Sequence, residues 1–268
     1  MNDQSFREIA RAIRDVSGLV LTPEQNYLLS ARLEPVLRKR GIQNFDEMAK
    51  RLASFEGAAL VKEAAEATTT NETSFFRDDA PFKDLAEHTL PALSALRPAG
   101  QPIRVWSAAC STGQEAYSIA MIAAGLPGGR RVEIVGTDLS APVVERAGQG
   151  FYSAFEVQRG LPEGLLARWF TAEPGGWRIA PGLRACCRFQ VANLLHDLSH
   201  LGRFDIVMLR NVLLYFDPPT KEKVIETCTR QLAPDGYLYL GATETLLGLR
   251  TRLVPVAGRR GVWRIGQG

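Results

Sequence analysis

The chain is poor in the residues that hold metals or form disulfides: three histidines and four cysteines in 268 residues, with no Cys-x-x-Cys pair. His88, His196, His200 and Cys110, Cys186, Cys187, Cys228 lack the paired spacing of a zinc site, and none is expected. The vicinal Cys186-Cys187 reads as core packing rather than a redox pair, because neighbours on a strand point to opposite faces. Long apolar runs are also missing, and none approaches the roughly 20 residues that span a bilayer. Met1-Asn2-Asp3-Gln4 opens the chain without a basic segment followed by an apolar one. The expectation is a soluble, reduced, cytoplasmic protein without direct membrane insertion. Charge of one sign is missing too. The formal net charge is only +3, so the balance of the whole chain does not point to nucleic acid.

What is present is an ordinary globular composition, 46% hydrophobic and 23% charged, with 15 prolines spread along the chain rather than massed. The first 67 residues read as a small helical domain. Phe6, Ile9, Ile13 and Val16 recur at helical spacing and Gly18 ends that run. Thr22-Pro23-Glu24-Gln25 starts a second helix with a hydroxyl cap, a proline at the first position and Gln25 at the capping-box position. It is expected to reach Arg40, with Gly41 as its stop and a kink or break at Pro35. Two shorter helices are expected over Asp46–Leu52 and Ala58–Ala67.

Residues 68–268 change texture after about residue 100. Apolar strands at Ile103–Trp106, Val132–Val135, Phe204–Leu209 and Tyr237–Leu240 are separated by helical stretches such as Glu115–Ala124. Strands alternating with helices imply right-handed crossovers and a parallel sheet covered on both faces. Arg252–Val256 and Gly261–Ile265 flank Ala257-Gly258-Arg259-Arg260 as a closing hairpin. The fold class is therefore doubly wound α/β with an antiparallel edge. Between about 151 and 190 the alternation fails. A short helix at Leu161–Trp169, then strands at Trp177–Ile179 and Arg184–Phe189 around the turn Ala172–Gly176, indicate a small antiparallel β insertion.

Ligands of open parallel sheets bind outside the carboxyl ends of the strands. Four segments fall there. The turn Ser107–Glu115 is built of small residues and opens a helix, although its single Gly113 is not a dinucleotide fingerprint. Asp138 ends the next strand, 25 residues beyond Gly113, where a carboxylate can accept both hydroxyls of a ribose; it also reads as a cap for the following helix. Asn193-Leu194 offers an amide and an apolar face suited to an adenine. Arg210-Asn211 ends the strand Phe204–Leu209, where an arginine is either functional or part of a structural salt bridge. A polar segment before the sheet, Thr68–Arg77, ends in two aromatics and an arginine, more than an interdomain linker needs.

These segments resemble the chemotaxis receptor methyltransferase family (CheR). The likeness rests on Asn71-Glu72-Thr73-Ser74-Phe75-Phe76-Arg77, Val105–Gly113, Gly136-Thr137-Asp138, Asn193-Leu194 and Arg210–Asp217, in order along nearly the whole chain. It implies an S-adenosylmethionine-dependent protein-glutamate O-methyltransferase, giving glutamate methyl esters and S-adenosyl-L-homocysteine. The cofactor contacts it implies are Asn71, Thr73, Arg77, Glu115, Asp138, Asn193, Leu194 and Arg210, with Asn211 alongside. Arg77 and Tyr215 are implied beside the reacting methyl, and Phe75 and Phe76 would exclude water. Gln114, Ala116 and Leu209 stand where family members commonly carry Glu, Pro and Cys, and none of these departures removes an implied contact.

The chemistry suits this inventory. A glutamate carboxylate, with a pKa of about 4.3, is ionised at neutral pH and needs no general base. Attack on a sulfonium methyl neutralises both charges, so a water-poor pocket favours the transition state. Holding the partners in line contributes up to about 7–11 kcal/mol in favourable systems. The resemblance also implies a partner, the cytoplasmic domain of methyl-accepting chemotaxis receptors, faced by the helical domain. Residues 1–67 carry ten basic and ten acidic residues, so only a local cluster is positive. At about 100° per residue, Arg32 and Lys39 share a helix face with Arg40 near it, and these three are the expected receptor contacts; a merely solvated face is the alternative. The compact turn Glu173–Gly176 offers few side chains to grip a receptor tail, which favours docking through the basic helix. Two rivals stand beside this reading: a cofactor-binding sensor or scaffold domain, and a nicotinamide-dependent oxidoreductase, which the absent Gly-x-Gly-x-x-Gly disfavours.

Overall fold

The computed structural model describes residues 1–54 and 57–266, which fall into two compact units. The first is Met1–Thr70 with Tyr215–Lys221; the second is Asn71–Leu214 with the chain from Glu222 onward.

The first unit is helical. Asp3–Ser17 is capped by the Asn2 side chain, which accepts from Ser5 N at 2.8 Å, and ends at Gly18 in the left-handed conformation that a side chain would oppose. Asn26–Arg40 follows a one-turn helix at Pro23–Gln25, and Phe45–Leu52 is capped by Asn44. Ala58–Thr68 completes the set. Phe6, Ile9, Ile13, Leu29, Leu33, Met48 and Ala64 form the core of this unit. The expected break at Pro35 does not occur: the helix runs through it to Arg40. Proline removes one backbone hydrogen bond there, but buried Leu33, Val36 and Leu37 hold the turns on either side against the core.

The second unit is built on ten strands: β1 (Ile103–Ala108), β2 (Val132–Asp138), β3 (Phe151–Tyr152), β4 (Phe170–Glu173), β5 (Gly176–Ile179), β6 (Cys187–Val191), β7 (Phe204–Leu209), β8 (Leu232–Leu240), β9 (Leu253–Pro255) and β10 (Val262–Ile265). Seven form one sheet in the order β6-β2-β1-β7-β8-β10-β9. The five from β6 to β8 are parallel, and β10 and β9 close the edge antiparallel, as the alternation and terminal hairpin predict. Central β1 and β7 are buried almost throughout, as strands covered on both faces must be. Trp106 stacks on Phe204 at 5.6 Å and satisfies its indole N–H on Thr137 Oγ1 at 2.9 Å.

The insertion is the antiparallel sheet β3-β5-β4, with β4 and β5 joined across Pro174-Gly175. One expected strand belongs elsewhere. Arg184–Phe189 is not part of the insertion hairpin: Pro181–Ala185 is a short helix and Cys187–Val191 is the parallel edge of the main sheet, paired with β2. Its third strand is instead Phe151–Tyr152. Cys186 also departs from the core-packing reading, being exposed where the helix ends, while only Cys187 is partly buried. Among the described residues no helix is long and apolar enough to cross a membrane.

Candidate active site

Strained backbone marks one region of the second unit. Among the described residues the non-glycine positions with positive φ are Phe76, Asp78, Asp79, Ala109, Ser111 and Asn211. Ala109 and Ser111 follow β1, Asn211 follows β7, and the other three lie in the segment before the sheet. Such residues cost on the order of 1–3 kcal/mol each and cluster where function requires a fixed shape.

Hydrogen bonds tie these segments together. Ser111 Oγ donates to the Asn71 carbonyl at 2.8 Å, and Ser111 N donates to Asp138 Oδ2 at 2.8 Å. Ser140 N donates to the other Asp138 oxygen at 3.0 Å, and Ala192 N, next to Asn193, donates to the Asp138 carbonyl. The cap reading of Asp138 is thus partly realised, yet a carboxylate offers about four acceptor sites and retains capacity for a ligand. Burial pushes the Asp138 carboxyl above its ordinary range, against the lowering pull of those amides. Asn193 Oδ1 accepts from Leu195 N at 2.9 Å, which fixes the loop, and Leu194 is buried.

Arg210 is the hub. Its side chain is 2% exposed; Nη1 lies 2.9 Å from Glu115 Oε2, and Nη2 reaches the Arg77 carbonyl at 2.5 Å and Asp78 Oδ2 at 3.0 Å. Ser107 Oγ donates to the other Glu115 oxygen at 2.7 Å. Burial raises the Glu115 carboxyl above its ordinary value despite the Arg210 charge beside it. The salt-bridge reading of Arg210 is therefore correct as far as it goes. Even so, Arg210 Nε is buried without a hydrogen-bond partner, a donor left for something else. Arg77 is half-buried and donates from Nη1 to the Glu72 carbonyl at 2.9 Å; Thr73 is half-buried.

The two aromatics expected to exclude water are packed against other rings. Phe75 is fully buried, edge-on to Tyr152 at 5.0 Å and Phe170 at 5.6 Å, so it anchors the segment to the insertion. Phe76 is half-buried against Phe82.

Two family models account for most of the chain: "CheR methyltransferase, all-alpha domain" over residues 4–67 and "CheR methyltransferase, SAM binding domain" over residues 71–262. The chain belongs to the CheR methyltransferase family. It is 36% identical over 251 residues to chemotaxis protein methyltransferase Cher2 of Pseudomonas putida, covering 91% of each chain. It is 39% identical over 241 residues to chemotaxis protein methyltransferase 1 of Pseudomonas aeruginosa, covering 87% of this chain and 86% of that one. With chemotaxis protein methyltransferase 1 of Vibrio cholerae it shares 35% identity, covering 98% of this chain and 96% of that one. The protein is an S-adenosylmethionine-dependent chemotaxis methyltransferase. The CheR site fits that cofactor: Asp138 is a buried carboxylate with acceptor capacity to spare, and Arg210 presents an unpaired buried donor.

The remaining sequence-predicted residues lie in the helical unit. Tyr215 is half-buried, and its carbonyl accepts from Val20 N at 3.0 Å. Arg32 is turned inward, donating to the Thr68 carbonyl at 2.6 Å and to the Thr69 carbonyl and Thr70 Oγ1 at 3.3 Å. It caps the carboxyl end of Ala58–Thr68 rather than standing free. Lys39 and Arg40 share Glu63, at 2.6 and 2.7 Å. Burial alone would raise the Glu63 carboxyl, but the two cations outweigh it and hold it below its ordinary value. Sequence reasoning missed Glu244. Its carboxylate accepts from the backbone amides of Asn211, Val212, Leu213 and Gly241. An acidic residue just past the end of β8, on the ligand-binding edge of the sheet, was the available signal.

Proposed function

We propose that this CheR-family chain methylates glutamate side chains in the cytoplasmic domain of methyl-accepting chemotaxis receptors, giving glutamate methyl esters and S-adenosyl-L-homocysteine. The observation that carries the reading is the buried Arg210–Glu115 pair, joined through the Arg77 carbonyl to the strained segment before the sheet. A domain that only bound a nucleoside would have little use for a buried, incompletely satisfied arginine there.

Bound S-adenosylmethionine supplies an electrophilic methyl on a sulfonium. In this reading Asp138 accepts the ribose hydroxyls, and Asn193 and Leu194 hold the adenine edge and face. Asn71, Thr73, Glu115, Arg210 and Asn211 complete the cofactor contacts. Arg77 holds the incoming or the cofactor carboxylate, and Tyr215 orients the methyl donor. An ionised carboxylate needs no base, so positioning and exclusion of water carry the rate. The reaction belongs in the cytoplasm, where receptor signalling domains lie. Docking falls to exposed Lys39 and Arg40, with Arg32 supporting them from behind by fixing the neighbouring helix end.

The test is transfer of labelled methyl to purified receptor cytoplasmic domains, with the modified residue mapped. Label on glutamate supports the reading. Cofactor binding without transfer to any receptor favours the sensor or scaffold alternative.

A further inference from the structure

Four backbone amides converge on one carboxylate at the carboxyl end of the sheet. Glu244 Oε2 accepts from Asn211 N at 2.7 Å and Gly241 N at 2.8 Å; Oε1 accepts from Leu213 N at 2.8 Å and Val212 N at 2.9 Å. Three of the donors are successive residues, and the first of them, Asn211, has φ +57°. Successive N–H groups aimed at one point form an anion nest, and bonds to a charged acceptor are the stronger kind. Gly241 closes the arrangement. A Cβ there would lie 2.7 Å from Glu244 Oε2 and 2.8 Å from Asn211 Nδ2, so no side chain fits without displacing the cradle.

The segment held in this way begins one residue after Arg210 and runs into the one-turn helix Leu213–Tyr215. Asn211 sits in the left-handed region, which asparagine tolerates better than most side chains but still at a cost, and the carboxylate accepts from the amide of that same residue. Glu244 is half-buried, and every bond it makes goes to this segment or to Gly241, the residue that follows β8.

We infer that Glu244 is the positioning residue of the methyl-transfer site: its carboxylate sets the backbone of Asn211–Leu213 and through it the place of the Arg210 guanidinium against Glu115 and the Arg77 carbonyl. This rests on the function proposed above. Glu244→Gln keeps the side chain's size, but its single carbonyl oxygen can serve only one pair of donors while its NH2 confronts the other pair.

Amide hydrogen exchange in the cofactor-free full chain reads the cradle without any receptor. In Glu244→Gln the amides of Asn211, Val212, Leu213 and Gly241 should exchange at least about tenfold faster, the loss of roughly one net hydrogen bond each. Those of β1 and β7 should stay at wild-type rates. kcat should fall by tenfold or more while the KM for receptor holds within about twofold, the pattern of a change at the reacting centre that leaves receptor docking intact. In Glu244→Ala, acetate should restore turnover where chloride and acetamide do not. Unchanged exchange at the four amides, uniform acceleration across the sheet, or restoration by chloride and acetamide as well as acetate overturns the inference. A wild-type chain that methylates no receptor, with the four amides still responding, overturns the proposed function instead and leaves the cradle standing.

Discussion

Arg210 and Glu115 form an ion pair at 2.9 Å with 2% and 12% of their side chains exposed, which makes it the most deeply buried charge pair in the sheet unit's site. Removing one partner of such a pair leaves the other charged and undersolvated, at a cost of about 3–5 kcal/mol. Glu115→Ala should destabilise the chain by about 3 kcal/mol, at the low end of that range, because Asp78 and the Arg77 carbonyl still face Arg210. Denaturant unfolding measures this; a change under about 1 kcal/mol would mean that the pair is dispensable to the fold.

Asp138 makes a second prediction. Asp138→Ala should weaken S-adenosylmethionine binding by roughly 1.5–3 kcal/mol for each charged hydrogen bond lost. Burial raises the Asp138 carboxyl, so it takes up its proton at a higher pH than an ordinary aspartate. Protonation removes acceptor capacity, so cofactor affinity should be flat above that raised value and fall as pH drops through it. Asp138→Asn should abolish the slope. Calorimetry across the acidic range checks both, and an unchanged affinity in Asp138→Ala would remove the residue from the site.

The helical unit separates two roles that the sequence had merged. Arg32→Ala should lower stability by about 1 kcal/mol through the lost cap on Ala58–Thr68. Lys39→Glu with Arg40→Glu should raise the apparent KM for receptor and leave cofactor affinity alone, because exposed charges steer association. The wild-type KM should also rise with salt above about 0.15 M, where the Debye length is about 8 Å. If the double reversal has no effect while trimming the receptor's carboxyl terminus abolishes methylation, the tail does the recruiting.

Tyr215→Phe should lower turnover far more than cofactor affinity if its hydroxyl acts in the transition state. Equal losses in steady-state kcat and in calorimetric affinity would assign it to ground-state binding.

Much of this architecture is legible in local pattern. The parallel sheet follows from apolar strands alternating with helices, and the helical domain from 3.6-residue periodicity with Gly18, Thr22-Pro23 and Gly41 as punctuation. Strand partners are not legible: Cys187–Val191 alternates like any half-exposed strand, and only long-range pairing with β2 decides which sheet receives it. The site residues are recognisable by type at the carboxyl ends of strands, but their hydrogen-bond partners are not. Arg32 looks identical in sequence to a surface cation, and its inward turn depends on carbonyls 36 and 37 residues away. The role of Glu244 is hidden for the same reason: its position past β8 is legible, but its four partners are backbone amides, three of them more than 30 residues distant.

The proposed acceptor of the methyl group is a carboxylate. The most direct measurement is alkaline release of volatile methanol from receptor domains labelled by the wild-type chain with tritiated methyl donor. A glutamate methyl ester hydrolyses in mild base and liberates the label as methanol, and essentially all of the transferred counts are expected in that form. Base-stable label retained on the receptor would place the methyl on nitrogen or sulfur and contradict it.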